Sequence, residues 1–450
     1  MEWTKWLNVR PRRFSSAVAP QPRPFDSLSP RNHGAKLKEG FPRFSGTATD
    51  QPRAPSGSAL EKARNALGVV FTPSQPVSDQ DLFAGRNELL ATIIRSVEHQ
   101  KMHAILYGER GIGKTSLLHI LALLARDARY VVRYATCGED AEFSEIFLPI
   151  LRDIPLLYHA DTDPTSAETE EGRTFADLVP AGGLSVPQLS DLLAKVSHTR
   201  VLIILDEFDR ARSATFRRAI AELIKNLSDR SARVQLVVAG VAANLSELIE
   251  HIPSIRRNIA GIQVPVMSAA EIDELISIAE GHCGVIFDAD ARTYITVIAS
   301  GSPYLASLLG QHAGLAAVDR GALSVGRDDV ATAVDQVARE FRYRVSSSSR
   351  HQAEKAKADG EGLEIGRLAW LTLTAGGRLE PDSVASLAGS TTDEAVVRLR
   401  SLAARHALVE QIPDDPAGAF RFREEAVPVL LWMEQVRLRF SEWSLKEQPV

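Results

Sequence analysis

Cysteine is scarce in this chain, and its scarcity limits the kinds of site that the protein can carry. Of 450 residues, two are cysteines, Cys137 and Cys283. Two cysteines cannot form a disulfide framework, and these two lack the closely spaced partners of a zinc site. The sequence therefore fits a reducing compartment, and we expect both thiols to be ordinary core residues.

Long apolar runs are also missing. No run approaches the roughly 18 to 20 residues that a membrane-spanning helix needs, and the longest candidates, such as 234–238, fit buried strands. Arg12, Arg13 and Phe14 resemble the start of a twin-arginine signal, but residues 15–24 contain no apolar segment to follow it. We expect a cytoplasmic protein without a membrane partner, with organelle import as the alternative.

The chain has no overall excess of positive charge. Its net charge is -5, with 24% charged and 44% hydrophobic residues, which are ordinary values for a globular protein. The overall charge therefore gives no indication of nucleic-acid binding, although a local basic face is compatible with it. A chain of 450 residues exceeds one hydrophobic core, so we expect about two to four domains.

Basic residues concentrate at the beginning of the chain. Residues 1–58 hold ten Lys and Arg against four Asp and Glu, with Pro, Gly and Ser throughout. Such a stretch buries too little apolar surface to offset the entropy lost on ordering it, so it is predicted to be a flexible basic arm. The arm is either an inert tail or a tether for an acidic partner.

Residues 59–265 are predicted to form one core, in which a short helical pattern at 59–66 is followed from Asp81 by alternating helices and short apolar strands. This alternation predicts a parallel sheet with helices on both faces, because central parallel strands are apolar on both sides. The stretch 161–183 is acidic and rich in Thr, Pro and Gly, and we expect it to be an inserted surface loop. The expected strands are 104–107, 130–134, 201–205, 234–239 and 262–264.

The strand pattern stops after Pro265 and a helical one begins. Ser268 and Glu271 form a capping box that opens a helix, and further amphipathic segments follow. Residues 266–345 are therefore predicted to be a separate helical lid.

A third unit is predicted over residues 346–450. A polar linker over 346–361 precedes three helices, a hairpin and a last helix, which is the order of a winged helix-turn-helix. The predicted fold class is α/β, with a P-loop NTPase parallel sheet core, an all-α lid and a C-terminal winged-helix domain.

A glycine-rich segment lies between an apolar strand and an apolar helix. It reads Gly108-Glu-Arg-Gly-Ile-Gly-Lys-Thr115 and matches the phosphate-loop pattern in full. Glycines let successive backbone N–H groups turn toward a phosphate, while Lys114 neutralises the outer phosphates and the Thr115 hydroxyl is a magnesium ligand. The predicted ATP-binding residues here are Gly108, Glu109, Arg110, Gly111, Ile112, Gly113, Lys114, Thr115 and Ser116.

Two carboxylates follow the predicted strand 201–205. Asp206 is expected at the carboxyl edge of the sheet, where it can support magnesium beside Thr115. Glu207 is next to that position and can accept a proton from the attacking water. The pair therefore predicts ATP hydrolysis with Mg²⁺, with Lys114 and Glu207 in catalytic roles.

The chain resembles AAA+ ATPases over residues 81–435. The resemblance rests on these two motifs, on the Phe208-Asp209-Arg210 segment that follows them and on the appended helical and winged-helix units. Within that class the chain resembles the archaeal-type origin-recognition clade and the STAND signalling ATPases, including NLR-like proteins. The resemblance implies that Gly85 and Arg86 lie near the adenine.

The resemblance also implies residues that act on the phosphates from outside the loop. Arg256 and Arg257 stand where AAA+ proteins place an arginine finger, although a solvated basic helix end is an equal alternative. Pro303, in Gly-Ser-Pro, resembles the lid element that touches nucleotide, but it equally fits a plain helix start. The predicted fourth strand ends without the polar residue that senses the γ-phosphate, and Asn244 comes only later. Turnover is therefore expected to be slow or stimulated by a partner.

Two functions fit this core. The first is a nucleotide-driven switch that assembles as a homo-oligomer and signals to a protein partner. The second is a DNA-binding AAA+ initiator, loader or transposition-type ATPase. Asp393 and Glu394 begin the predicted recognition helix, and Asp414 and Asp415 lie in the wing turn, where they would repel phosphates. We therefore expect the third unit to dock on protein, with DNA binding possible but not favoured.

Overall fold

A computed structural model describes most of the chain beyond the basic arm. The described residues are 58–163, 165, 169, 171–180, 182–230, 232–242, 245, 257–413, 415 and 417–440. Residues 1–57 of the predicted arm, Asn244, Arg256 and Asp414 lie outside this set.

The centre of the first half is a five-stranded parallel sheet in the order β2-β3-β4-β1-β5. Strand β4 lies between β1, which leads into the glycine-rich loop, and β3, which ends at Asp206. All five predicted strands form, and the last begins three residues earlier than expected. The strands are β1 (His103–Gly108), β2 (Val131–Thr136), β3 (Val201–Asp206), β4 (Val234–Val241) and β5 (Ile259–Gln263).

Helices cover both faces of this sheet, as the apolar strands predicted. On β3, Ile204 faces a core that includes Leu117, whereas Ile203 and Leu205 face a second core that includes Phe216. A strand buried on both faces has no polar side, so β3 reads as a continuous apolar run. The helices around the sheet are α2 (Asn87–Glu98), α3 (Lys114–Asp127), α4 (Phe143–Arg152), α5 (Val186–Ala194) and α6 (Ala214–Asp229).

The helical lid follows the sheet. Its first helix opens with the predicted capping box, in which the Glu271 amide donates to the Ser268 hydroxyl at 3.3 Å and the Ser268 amide donates to the Glu271 carboxylate at 2.8 Å. A parallel pair of two-residue strands, β6 (Ile286–Phe287) and β7 (Ser324–Val325), also forms here, although no strand was expected within residues 266–345. The lid helices are α7 (Ala269–Cys283), α8 (Ala289–Ala299), α9 (Pro303–Asp319) and α10 (Arg327–Arg344).

Helix α1 (Ala59–Val70) packs on the lid, although it precedes the sheet in sequence. Leu67 and Phe71 are fully buried in the lid core. Two glycines of α9 make room for them, because a Cβ on Gly310 would lie 2.7 Å from Phe71 and one on Gly314 would lie 2.5 Å from Leu67. The chain therefore passes from the lid side to the sheet before the glycine-rich loop.

Residues 347–440, called the C-terminal unit below, begin with helix α11 (Ser347–Ala358) where a polar linker was expected. The Ser346 hydroxyl caps this helix by accepting from the Ser349 amide at 3.1 Å, and Ala353 and Ala356 form its narrow buried face. A polar helix with only alanines buried lacks the apolar stripe that predicts a helix.

The rest of the C-terminal unit follows the predicted order. Its elements are α12 (Gly362–Thr374), α13 (Pro381–Ala388), α14 (Thr392–His406), β8 (Val409–Gln411), β9 (Phe420–Phe422) and α15 (Ala426–Arg439). Strands β8 and β9 pair antiparallel, and Leu379 bridges to Phe420 beside them. Trp432 is fully buried and donates from its indole to the Ile298 carbonyl at 2.9 Å, so this unit and the lid share one core.

Cys137 and Cys283 are both buried and unpaired, as expected for core thiols. Within the described part of the chain, no helix combines the length and the apolar character that crossing a membrane requires.

Candidate functional site

The glycine-rich loop lies between β1 and α3 and depends on glycine at its two ends. Gly113, the N-cap of α3, has φ +94°, which favours glycine over any residue with a side chain. Gly108 approaches the residue that follows β5 so closely that an added Cβ would lie 2.7 Å from the Val264 carbonyl oxygen. The loop can therefore present backbone N–H groups where side chains would clash.

Lys114 is buried and points back along its own loop. Its ammonium donates to the carbonyl oxygens of Gly108 at 2.8 Å and Glu109 at 2.7 Å. Burial lowers the pKa of Lys114 to about 8, although the charges of Asp209, Glu109 and Asp206 oppose this shift. A phosphate placed in the loop would take over a cation that the protein already holds in position.

Asp206 is buried at the carboxyl edge of the sheet, and both its oxygens are engaged. Its Oδ2 accepts from the Thr115 hydroxyl at 2.9 Å and from the Tyr134 hydroxyl at 2.6 Å. Its Oδ1 accepts from the Glu207 amide at 2.8 Å. Burial, followed by the hydrogen bond to Asp206, raises the pKa of Tyr134, so this phenol remains a donor.

Glu207 begins a turn that bends away from β3. Its backbone has φ +52°, an uncommon conformation for a residue with a side chain and one that occurs often at functional sites. Its carboxylate pairs with Arg210 at 2.7 Å. In the same turn, Asp209 accepts from the Val241 amide at 2.7 Å, which ties the turn to the end of β4. The predicted base is therefore held by a neighbouring arginine.

Gly85 and Arg86 connect the beginning of the sheet region to the lid. The Gly85 amide donates to Glu274 at 3.2 Å, and the Arg86 amide donates to Glu271 at 2.9 Å. The Arg86 guanidinium is buried and donates to the Pro265 carbonyl at 2.7 Å. Glu271, predicted only as a helix cap, thus also holds the Gly-Arg segment against the lid.

The lid lies directly over the glycine-rich loop. Helix α9 starts at Pro303, and a Cβ on Gly113 would lie 3.7 Å from the Pro303 ring. The Ser302 hydroxyl caps the helix by accepting from the Leu305 amide at 3.3 Å. Pro303 is therefore a helix start that faces the loop, and its contact with nucleotide remains a prediction.

The glycine-rich loop, the Gly85-Arg86 segment and the lid surround a single cavity of about 720 Å³. Clefts of roughly 300 to 1,000 Å³ are typical of small-molecule sites. The stretch from Thr72 to Val77 lines one side of it, and the Val77 amide donates to the Ser116 hydroxyl at 3.1 Å. Ser116 thus holds the cavity wall in place.

Of the predicted arginine fingers, the structure describes Arg257. It is exposed just before β5 and does not line the cavity. Gly240 and Val241, at the end of β4, do line it. The finger and the γ-phosphate sensor therefore remain predictions.

The C-terminal unit also reaches the loop. Arg110 pairs with Glu425, the residue before α15, at 3.1 Å, and Glu425 lines the cavity. The Glu109 side chain lies against the turn after α12, because a Cβ on Gly377 would lie 2.4 Å from its carboxylate. Two variable positions of the loop motif thus contact a unit more than 260 residues away in sequence.

Part of the chain that builds this site is similar to a known family. Residues 83–238 match the model of the AAA ATPase domain, and over this stretch the chain is similar to that family. The match starts at Phe83, just before the Gly85-Arg86 segment, and includes the glycine-rich loop, Asp206 and Glu207. No curated protein matches the sequence.

Several solved structures of low sequence identity are similar to the chain. Cdc6p from Pyrobaculum aerophilum is 14% identical, with 83% of this chain and 98% of that chain covered and a TM-score of 0.43. ORC1 of Aeropyrum pernix in complex with DNA is 15% identical, with 81% and 95% covered and a TM-score of 0.42. The RuvB Holliday junction branch migration motor of Thermotoga maritima is 15% identical, with 77% and 95% covered and a TM-score of 0.40. Similarity at this level carries no information on function.

Sequence reasoning missed several residues at this site. Tyr134 lies inside an apolar strand and reads as a core residue, and Glu425 lies far from the motifs. Arg210 belongs to the Phe208-Asp209-Arg210 segment of the family resemblance, which implies no role for it. Only the Gly-Gly pair at 376–377 gave a local signal, since consecutive glycines indicate a turn.

Proposed function

We propose that the protein is an ATP-binding and ATP-hydrolysing molecular switch of the AAA+/STAND type, which controls assembly or signalling with a protein partner. The observation that carries the switch is the contact between the C-terminal unit and the glycine-rich loop, through Arg110–Glu425 and Glu109. Arg110 and Glu425 line the same cavity, so a nucleotide bound there would compete with Glu425 for the Arg110 guanidinium.

The residues at the sheet edge fit ATP with Mg²⁺. Magnesium prefers oxygen ligands and is usually bound by one or two carboxylates together with substrate phosphates. Thr115 and Asp206 offer a hydroxyl and a carboxylate 2.9 Å apart, and the described residues hold no cluster of three or more His, Cys, Asp or Glu side chains for another metal. Bound Mg²⁺ would neutralise charge on the phosphate oxygens.

The protein's own residues then divide the work. Lys114 would exchange its two loop carbonyls for the outer phosphate oxygens. Glu207 would accept a proton from the attacking water after its carboxylate separates from Arg210. Both groups start from a bond within the protein, which supports slow turnover or stimulation by a partner.

The charge pattern of the C-terminal unit supports docking on protein. Arg398 pairs with Glu364 at 3.4 Å, and Arg405 pairs with Glu361, so two arginines of α14 are already neutralised. The exposed Asp393 precedes them at the start of this helix. Phosphates of a duplex would have to compete with these carboxylates.

One observation favours the DNA alternative. Asp415 was expected to repel phosphates from the wing turn, but its carboxylate is buried against Arg378 and accepts from the Ala417 and Ala419 amides. Its charge is therefore used within the turn. A DNA-binding initiator, loader or transposition-type ATPase is the second candidate function.

Assembly as a nucleotide-dependent homo-oligomer is part of the proposal. Arg257 is exposed, and Arg256 precedes it, so either could reach the phosphates of a neighbouring subunit. If a neighbouring subunit supplies this arginine, ATP hydrolysis would be faster in the assembled protein than in the monomer.

The switch is tested by reversing the charge at Glu425. Glu425→Arg breaks the ion pair and leaves Arg110 to the nucleotide, so we expect a fluorescent nucleotide to dissociate about two- to fivefold more slowly. The matched control is Glu410→Arg, which breaks an exposed pair with Arg421 on the same unit, away from the loop. Equal dissociation rates in all three proteins would contradict the switch. The mass of the wild-type protein in ATP, with and without duplex DNA, then separates the two candidate functions.

A further inference from the structure

Tyr134 lies in β2, beside the strand that carries Asp206. In the parallel register, Tyr134 is opposite Ile204 and Thr136 is opposite Asp206. Alternate residues of a strand share a face, so Tyr134 and Asp206 project from the same side of the sheet. The tyrosine is therefore a diagonal neighbour of the aspartate, within reach of a long aromatic side chain.

The phenol meets the carboxylate in a short hydrogen bond. Its hydroxyl donates to Asp206 Oδ2 at 2.6 Å, and O–H···O⁻ bonds of about 2.5 to 2.7 Å are typical of charge-assisted pairs. The ring is fixed by an edge contact with His119 of α3, with ring centroids 5.2 Å apart. The donor is thus held from both ends, by the carboxylate and by a helix that starts at the glycine-rich loop.

This bond adds a third donor to Asp206, beside the Thr115 hydroxyl and the Glu207 amide. The Thr115 hydroxyl is expected to bind magnesium, so its hydrogen bond to Oδ2 would change when the metal binds, whereas the Glu207 backbone amide donates to the other oxygen, Oδ1. Tyr134 does not line the cavity and has no role toward the nucleotide. It is therefore the donor that can hold Oδ2 in one orientation throughout.

We propose that Tyr134 is a positioning residue that orients the Asp206 carboxylate for magnesium. The inference rests on the proposed function, since it concerns the same site. Groups that hydrogen-bond to metal ligands fix the orientation of those ligands, and their loss typically weakens metal binding about 10- to 100-fold. A tyrosine that only filled the sheet face would act through its ring, and its hydroxyl would be dispensable.

Tyr134→Phe removes the hydroxyl donor and keeps the ring, which is half-buried against the core that includes Leu117 and Ile204. Full-length protein binds a fluorescent ATP analogue first in EDTA and then during a MgCl2 titration. We expect unchanged affinity in EDTA and a 10- to 100-fold increase in the Mg²⁺ concentration needed for half of the magnesium-dependent gain.

The matched control is Tyr130→Phe, four residues earlier, whose hydroxyl makes no hydrogen bond within the described part of the chain. It should titrate like the wild type. A Tyr134→Phe titration that follows the wild type overturns the inference, and so does an equal loss of affinity with and without Mg²⁺, which would indicate a purely structural role. If the affinity of the wild-type protein for the ATP analogue does not depend on Mg²⁺, the proposed function is wrong, and this inference is wrong with it.

Discussion

The two sides of the cavity are held together by different forces. On the sheet side, Lys114 and Asp206 are buried and each makes short hydrogen bonds to neighbouring groups. On the side of the C-terminal unit, Arg110 and Glu425 form an ion pair whose side chains are 77% and 68% exposed. Buried charges need fixed partners, whereas exposed pairs contribute little to stability and separate easily. The sheet side therefore keeps its geometry, whereas the ion pair between the loop and the C-terminal unit can separate.

Replacing the buried lysine should give the largest effect on nucleotide affinity. Lys114→Ala removes the charge aimed at the outer phosphates, and truncating one partner of a buried charge pair costs roughly 2 to 5 kcal/mol. We expect ATP affinity to fall by at least about 30-fold, measured by binding titration. Lys225→Ala, on the exposed face of α6, is the control and should bind normally. Wild-type affinity in Lys114→Ala would mean that the rigid side does not bind phosphate.

Glu207 should affect turnover without affecting binding. Glu207→Gln keeps the shape of the side chain but cannot accept a proton, so we expect hydrolysis to slow by about 100- to 10,000-fold while the Kd for ATP stays unchanged. Phosphate release and nucleotide binding are measured on the same preparation. Glu222→Gln, at an exposed position of α6, should leave both unchanged. Turnover at the wild-type rate would remove Glu207 from the chemistry.

The smallest expected effect is the pH dependence of ATP affinity, which tests whether the lysine on the sheet side is buried. Burial lowers the pKa of Lys114 to about 8 in the free protein, and phosphates would raise it in the complex. Below pH 8 the lysine is charged in both states, so affinity is constant. Above pH 8 the free lysine loses its proton and must regain it on binding, so affinity should fall by up to about tenfold per pH unit.

Calorimetry in two buffers with different ionisation enthalpies checks this expectation. Proton uptake on ATP binding should appear at pH 9 and be absent at pH 7. Equal binding at pH 7 and pH 9, without proton uptake, would contradict a lysine that burial makes easier to deprotonate.

Much of the sheet side could be predicted from sequence because its signals are local. The loop glycines, Lys114 and the run ending in Asp206 each depend on neighbouring residues, and the apolar strands could fit only a sheet covered on both faces. The contact between Thr115 and Asp206 then follows from the common edge at which parallel strands end. The tyrosine behind Asp206 does not follow, since register between strands is not written in either strand alone.

The sequence by itself determined the order of the elements, the glycine-rich loop and the carboxylate pair, because periodicity, capping and turn residues act over a few positions. Only the tertiary structure decided that α1 packs on the lid, that Tyr134 donates to Asp206 and that Glu425 meets Arg110. These contacts join residues up to 315 positions apart. They are chosen by which apolar faces cover one another, and that choice depends on the whole chain at once.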